Sequence, residues 1–126
     1  MTEFSVTLAN RPGQLAHLAR ILADASVELE AFAAVADDGQ SHVRFVVLSA
    51  PTARRALSAA GMDFHERDVL DTFLPRGLEA LSHTAEALAN AGVNIDSMYL
   101  LHTRSEGFHF AVTVDDTDNA SGALAG

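Results

Sequence analysis

The chain has 126 residues, of which 48% are hydrophobic, and its 17 acidic and 8 basic residues give a formal net charge of −9. This much apolar sequence predicts a packed core, and the acidic balance argues against nucleic acid and anionic membranes as partners. The absence of cysteine excludes disulfides, thiolate metal ligands and thiol catalysis. No apolar run is long enough to span a bilayer, and the opening MTEFSVTLAN lacks the basic and apolar segments of a signal peptide, so we expect a cytoplasmic protein.

The first predicted element is a strand that leads through a tight turn into a helix. Apolar side chains alternate with polar or small ones from Phe4 to Ala9, which is typical of a half-buried strand. Asn10-Arg11-Pro12-Gly13 follows, and the preference of Asn for the N-cap and of Pro for the first helical turn predicts a helix capped by Asn10. That helix has an apolar stripe made of Leu15, Leu18, Ala19, Leu22 and Ala25. Its N-terminal N–H groups suit a small anion such as a carboxylate.

The helix and the strand after it occur twice. A shift of 66 residues aligns Leu15–Glu30 with Leu81–Asp96, and seven of these 16 positions are identical. The identities fall mainly on the apolar stripe and on the C-terminal turn of the helix, as expected for a duplicated structural unit.

The first copy continues as a second strand from Glu28 to Ala36, an Asp37-Asp38-Gly39 hairpin turn and a third strand from Ser41 to Leu48. A helix over Pro51–Ala60, closed by Gly61, and a fourth strand over Asp63–Arg67 complete a βαββαβ order.

The second copy is predicted to be shorter. Its elements are a strand from Val69 to Leu74, a helix from Gly77 to Ala91, a hairpin of Asn94–Thr103 and Phe108–Val114, and a last helix opened by Asp115–Asp118. The order is βαββα, one strand short of the first copy.

The NRPGxL turn, the helix ending ADAS and the strand that follows resemble the ACT domain, a family of small ferredoxin-like modules that usually bind amino acids and regulate enzymes. The resemblance implies an α+β, ferredoxin-like fold in two tandem repeats, residues 1–67 and 68–126, the second lacking its last strand. Each repeat would form an antiparallel sheet of strand order 4-1-3-2, with its helices on one face.

In that family the Asn of this turn and the start of the strand after the first helix line an amino-acid site between two domains. Asn10 matches the first feature and Gly92–Ile95 the second, with Asn94 able to accept a hydrogen bond from an ammonium and to donate one to a carboxylate. The resemblance thus implies one hybrid ligand pocket made of Asn10, Arg11, Pro12, Gly13, Gln14, Leu15, Val93, Asn94 and Ile95. Alternatively, Asn10 is only a cap, Gly13 only a turn residue and Asn94 only a strand-edge residue.

The reciprocal pocket is expected to be degenerate. The second repeat has Leu74-Pro75-Arg76-Gly77-Leu78-Glu79 in place of NRPG, so Glu79 replaces Gly13, and the first repeat has Glu28 where the second has Asn94. Glu28 would repel a ligand carboxylate. Arg76 is either an anion contact or a solvated loop residue.

We interpret the remaining candidate residues as structural. We interpret the six histidines as surface or interface residues because none has a metal-ligand spacing: His17, His42, His65, His83, His102 and His109. His102 and His109 are expected to face each other across the hairpin. The phenylalanines on alternating strand positions, including Phe32 and Phe73, are predicted to be core.

The sequence therefore predicts no catalytic site, no cofactor and no metal. It favours a non-enzymatic regulatory module that binds an amino acid between its repeats and forms a homodimer through sheet edges or helix faces. The alternative is a structural, oligomerising protein of the same fold with a degenerate ligand site.

Overall fold

The computed structural model describes residues 1–75 and 78–125, and within it the chain forms two compact units, Met1–Arg67 and Asp68–Gly126. The strands are β1 (Thr2–Ala9), β2 (Leu29–Asp37), β3 (Gln40–Val47), β4 (His65–Asp68), β5 (Leu70–Pro75), β6 (Ile95–Arg104) and β7 (Gly107–Val114). The helices are α1 (Gln14–Asp24), α2 (Ala50–Ala59), α3 (Leu78–Asn90) and α4 (Thr117–Ala125). Gly77, the predicted start of α3, lies outside the described residues. No helix in the described ranges combines the length and apolar character needed to cross a membrane.

The first unit is a complete ferredoxin-like βαββαβ fold. Its sheet has the order β2-β3-β1-β4, which is the predicted 4-1-3-2 order. β1 and β3 are antiparallel, with Phe4 opposite Phe45, and these two rings stack at a centroid distance of 5.6 Å. The β2–β3 turn places Asp38 and Gly39 at φ 47° and 76°, the pair of positive angles that defines a type I′ hairpin.

Both helices of the first unit pack on one face of its sheet. The buried core combines alternate strand residues with helix residues, namely Phe4, Val6, Leu8, Leu18, Leu22, Val43, Phe45, Val47, Ala53 and Leu57. Because side chains alternate between the two faces of a strand, one set of strand positions meets the helices.

The second unit repeats this arrangement with three strands in the order β5-β7-β6. Its core is smaller and consists of Leu88, Val93, Val112, Val114 and Ala120. The predicted α+β architecture, with a second repeat one strand short within the described residues, is therefore confirmed.

Two details differ from the sequence prediction. Phe32 and Phe73 are 41% and 53% exposed, so their assignment to the core is wrong. Phe32 lies on the outermost strand β2, where a side chain lacks a neighbouring strand on one side, whereas Phe73 lies on the face of β5 opposite to the buried Thr72 and Leu74. The β6–β7 connection is also tighter than expected, since Arg104 pairs with Gly107 and leaves a two-residue turn.

Candidate functional site

The turn before α1 is built by the Pro-Gly dipeptide. The Gln14 N–H donates to the Arg11 carbonyl at 3.2 Å, and Gly13 has φ 92° and ψ −17°. These angles, with Pro12 in the preceding position, define a type II turn, whose third residue needs the positive φ that Gly adopts without steric cost.

The predicted capping role of Asn10 is wrong. α1 begins at Gln14 with Gly13 as its N-cap residue, because the type II turn occupies the residues that a cap at Asn10 would have placed in the helix. The Asn10 N–H instead donates to the Gly39 carbonyl at 2.9 Å, which ties the turn to the β2–β3 hairpin. Asn10 itself is exposed.

The N-terminus of α1 is open. It has no side-chain cap and no acidic residue in its first turn, and its first helical bond runs from the His17 N–H to the Gly13 carbonyl at 3.0 Å. Between these bonded residues, the N–H groups of Leu15 and Ala16 have no acceptor within the described chain. The flanking Arg11, Pro12 and Gly13 are exposed, as is Leu15 at 41%. A positive helix end with free donors is able to hold a carboxylate.

The second predicted segment, Val93–Ile95, lies where α3 gives way to β6 in the second unit. Val93 is buried in the core and Ile95 packs against it, so neither offers its side chain to a ligand. Asn94 is exposed, and its carboxamide makes no hydrogen bond within the described residues. Of the three residues, Asn94 is the one with a polar side chain available for binding.

The backbone of Asn94 is held by a residue that the sequence did not single out for this role. The Asn94 N–H donates to the Asp115 carboxylate at 2.9 Å, and the Asp115 N–H donates to the Asn94 carbonyl at 3.1 Å. Asp115 was read from the sequence only as the start of the last helix. In the structure the neighbouring Asp116 takes the capping position and accepts from the Asn119 N–H at 3.1 Å. The order of residues alone gives no signal for the pairing of Asn94 with Asp115.

In the other repeat, each of the two equivalent segments carries an acidic residue. Glu79 lies in the first turn of α3, so this helix carries its own carboxylate where α1 carries none. In the first unit, Glu28 is exposed and lines a groove of about 290 Å³ beside Ser49 and Thr52. Arg76, for which the sequence left open an anion contact or a solvated loop residue, lies outside the described residues.

The histidines do not assemble a metal site in the described ranges, where no three His, Asp or Glu side chains are grouped to hold an ion. His102 and His109 are opposite each other in the β6–β7 ladder, as predicted, with ring centroids 6.0 Å apart. His109 also contacts the Asp71 carboxylate on β5, a pairing that sequence reasoning missed because it depends on the strand register.

Comparison with known proteins identifies the fold but no family. No family model matches the sequence, and no curated protein matches it. Among solved structures, protein BT0572 from Bacteroides thetaiotaomicron is 22% identical with a TM-score of 0.85, over 98% of this chain and 85% of that chain. The regulatory subunit of aspartate kinase from Thermus thermophilus is 19% identical with a TM-score of 0.71, over 98% and 88% of the respective chains. The same subunit from Thermus flavus is 18% identical with a TM-score of 0.73 and the same coverage. At these identities the likeness establishes a shared fold.

Proposed function

We propose that this chain is a non-enzymatic regulatory module of the ACT type, with repeats at residues 1–67 and 68–126, that binds a small amino acid. The observation that carries this function is the open N-terminus of α1, where a type II turn leads into free N–H groups with no cap and no carboxylate of the protein's own. The shared fold with regulatory subunits of aspartate kinase supports a regulatory role for this chain.

The ligand's carboxylate binds the N–H groups at the start of α1, within the segment Asn10–Leu15. Its ammonium binds the carboxamide oxygen of Asn94, in the segment Val93–Ile95 of the same or of another chain. An amide side chain suits this position because it accepts from the ammonium and donates to the carboxylate. The second repeat's turn is not used, because Glu79 already places a negative charge at that helix N-terminus.

Regulation follows from differential binding. A ligand held by two segments stabilises the arrangement of repeats or subunits in which both segments face it, and it shifts the population toward that arrangement. The partners are accordingly a small amino acid and a second copy of the chain, in a soluble cytoplasmic complex. No cofactor is required.

Thermal unfolding in the presence of each of the twenty amino acids tests this function. A ligand at 100 times its Kd adds about 2.7 kcal/mol to the free energy of unfolding, which raises the melting temperature by several degrees. The rise should be selective, should disappear in Asn94→Ala and should persist in Glu28→Ala, the equivalent position of the other repeat. A flat panel, or a rise that both variants keep, would contradict the proposed site.

The second candidate is an oligomerising protein of the same fold without a ligand. Exposed apolar side chains on the outermost strand β2 favour it, since Leu29, Phe32 and Val35 are 45%, 41% and 63% exposed. Light scattering that shows a stable dimer, together with a flat amino-acid panel, would select this candidate.

A further inference from the structure

The second unit contains an open groove where the first unit has its core. Positions 66 residues apart occupy equivalent places on the first strand and first helix of each unit. In the first unit three of these positions are buried at 6% exposure or less: Val6, Leu8 and Leu18. Their equivalents line a groove of about 240 Å³ in the second unit: Thr72, Leu74 and Thr84. Leu74 is as buried as Leu8, but Thr72 and Thr84 place hydroxyl groups where Val6 and Leu18 place apolar side chains, and Thr84 is only half-buried.

The first unit shows what fills this space. Its fourth strand, β4, lies beside β1, and the residues leading into β4 pack against the core. Met62 and Phe64 make this contact, and the Phe64 ring lies 5.6 Å from the Phe4 ring. In the first unit, β4 therefore covers this edge of the sheet, and the apolar side chains of Met62 and Phe64, just before β4, cover the core.

The second unit presents the same edge without that segment. β5 is an outermost strand of the three-stranded sheet in the described residues. Ala123 and Leu124 of α4 line the groove above it. The Thr72 hydroxyl is buried and has no hydrogen-bond partner in the described structure, which normally costs about 1–3 kcal/mol. The outermost strand β5 therefore combines an unpaired backbone edge, a neighbouring groove and the unpaired hydroxyl of Thr72.

We propose that β5 of a second copy of this chain completes this edge, by antiparallel pairing about a twofold axis that passes between the two opposed Thr72 residues. Opposing residues of an antiparallel pair lie on the same face, and the helix-side residues of β5 are Leu70, Thr72 and Leu74. Centring on Thr72 places Leu70 of each copy opposite Leu74 of the other. The partner strand thus brings the apolar side chains that Met62 and Phe64 supply in the first unit.

Two further features select this register. Thr72 of one copy lies opposite Thr72 of the other. Because Thr–Thr pairs across strands form hydrogen bonds, each unpaired hydroxyl is positioned to gain a partner. The paired stretch ends at Leu74 and leaves out Pro75, which has no N–H to donate. Centring on Phe73 instead would bring Pro75 into the ladder and set Thr72 against Leu74. The twofold contact is self-complementary, so it closes as a dimer with a six-stranded sheet and does not propagate.

Charge at position 73 gives a register-specific test. The twofold register sets Asp71 of one copy opposite Phe73 of the other, and Phe73 is 53% exposed, so it tolerates substitution. In Phe73→Asp, the new carboxylate of each copy lies opposite Asp71 of the other, so the dimer contains two repulsive pairs. The dimer dissociation constant should rise several-fold in light scattering or sedimentation. The matched variant Phe73→Arg opposes Arg to Asp and should keep or tighten the dimer. Equal effects of the two variants would overturn the register.

Cysteine crosslinking tests the axis directly, because the native chain has no cysteine. Under mild oxidation, Thr72→Cys should give a disulfide-linked dimer, since the spacing of opposed strand residues permits the bond. The control Val35→Cys places a thiol on another outermost strand, β2, at a position that is 63% exposed, and should stay largely uncrosslinked. A dimer formed by Val35→Cys and not by Thr72→Cys would overturn the proposed interface. Both measurements are made without amino acid, so their failure is distinguishable from failure of the ligand site.

Discussion

Ser26 and Gly92 occupy the same position in the two repeats and have the same left-handed backbone, with φ of 56° and 73°. Each follows the first helix of its unit. The next residue donates its N–H back to the helix, Val27 to the Leu22 carbonyl at 3.0 Å and Val93 to the Leu88 carbonyl at 2.9 Å. One closing motif is therefore built with a serine in one unit and a glycine in the other.

Ser26→Gly should stabilise the protein. A non-glycine residue in the left-handed region costs roughly 1–2 kcal/mol, and glycine removes most of that cost. We expect the melting temperature to rise by a few degrees in a circular dichroism melt. The reciprocal change, Gly92→Ser, should lower it. If both variants are destabilising, Ser26 contributes a contact that outweighs its backbone strain.

Equivalent truncations in the two repeats should differ in cost. Leu18 is fully buried, so Leu18→Ala should lower the free energy of unfolding by about 2–5 kcal/mol in urea denaturation. Thr84, its equivalent, is half-buried at an open groove, and Thr84→Ala should cost less than about 1 kcal/mol. Equal losses would show that the groove is closed in solution.

The ion pair between Arg54 on α2 and Glu66 on β4 should give stability a small pH dependence. Two hydrogen bonds of 2.7 Å from the Arg54 guanidinium lower the pKa of Glu66, while partial burial opposes the shift. A lowered folded-state pKa contributes stability that is complete above the ordinary value of 4.5 and is lost as the pH falls through the folded pKa.

Glu66→Gln should therefore be less stable than the native chain at pH 7, with a difference that disappears at low pH and shrinks in high salt. The exposed pair of Arg20 and Asp24, 3.5 Å apart within α1, supplies the control. Asp24→Asn should change little at any pH. A Glu66→Gln difference that persists in acid would assign the effect to packing.

The isosteric change Gln14→Glu should separate folding from binding. A carboxylate in the first turn of α1 interacts favourably with the helix dipole, so the variant should be as stable as the native chain or gain about 0.3–1 kcal/mol. The same charge lies at the proposed carboxylate site and should abolish the amino-acid-dependent rise in melting temperature. A Gln14→Glu variant that responds normally would place the ligand elsewhere.

Local sequence patterns predicted most of the strands and helices. The main error, the start of α1, arose where two local sequence preferences compete. The Asp38–Gly39 hairpin was predictable because its turn chemistry and the flanking alternation agree. The start of α1 was misplaced because the type II preference of Pro12-Gly13 prevailed over the capping preference of Asn10. Both signals were present in the sequence, and no rule based on the sequence ranks them.

A second kind of error arose at residues whose exposure or hydrogen bonding depends on neighbours in the tertiary structure. Periodicity assigns Phe73 to a strand but does not say which face of that strand meets the helices, so the exposure of Phe73 was not predictable. For the candidate site, the repeat alignment identified Asn94, but its anchoring by Asp115 requires contact between residues 21 positions apart. Sequence patterns offered no reason to select Thr72, because its buried, unpaired hydroxyl is seen only in the structure and its interest comes from comparison with Val6, the buried equivalent in the first unit.

The most direct measurement is a ¹H–¹⁵N NMR titration of the native chain with the amino acid selected by the thermal panel. Backbone N–H groups that bind a carboxylate shift strongly, so the largest changes should fall on Gly13, Leu15 and Ala16, with the Asn94 side-chain amide shifting at the same ligand concentration. Shifts confined to other residues, or no shift at saturating ligand, would contradict binding at the α1 N-terminus.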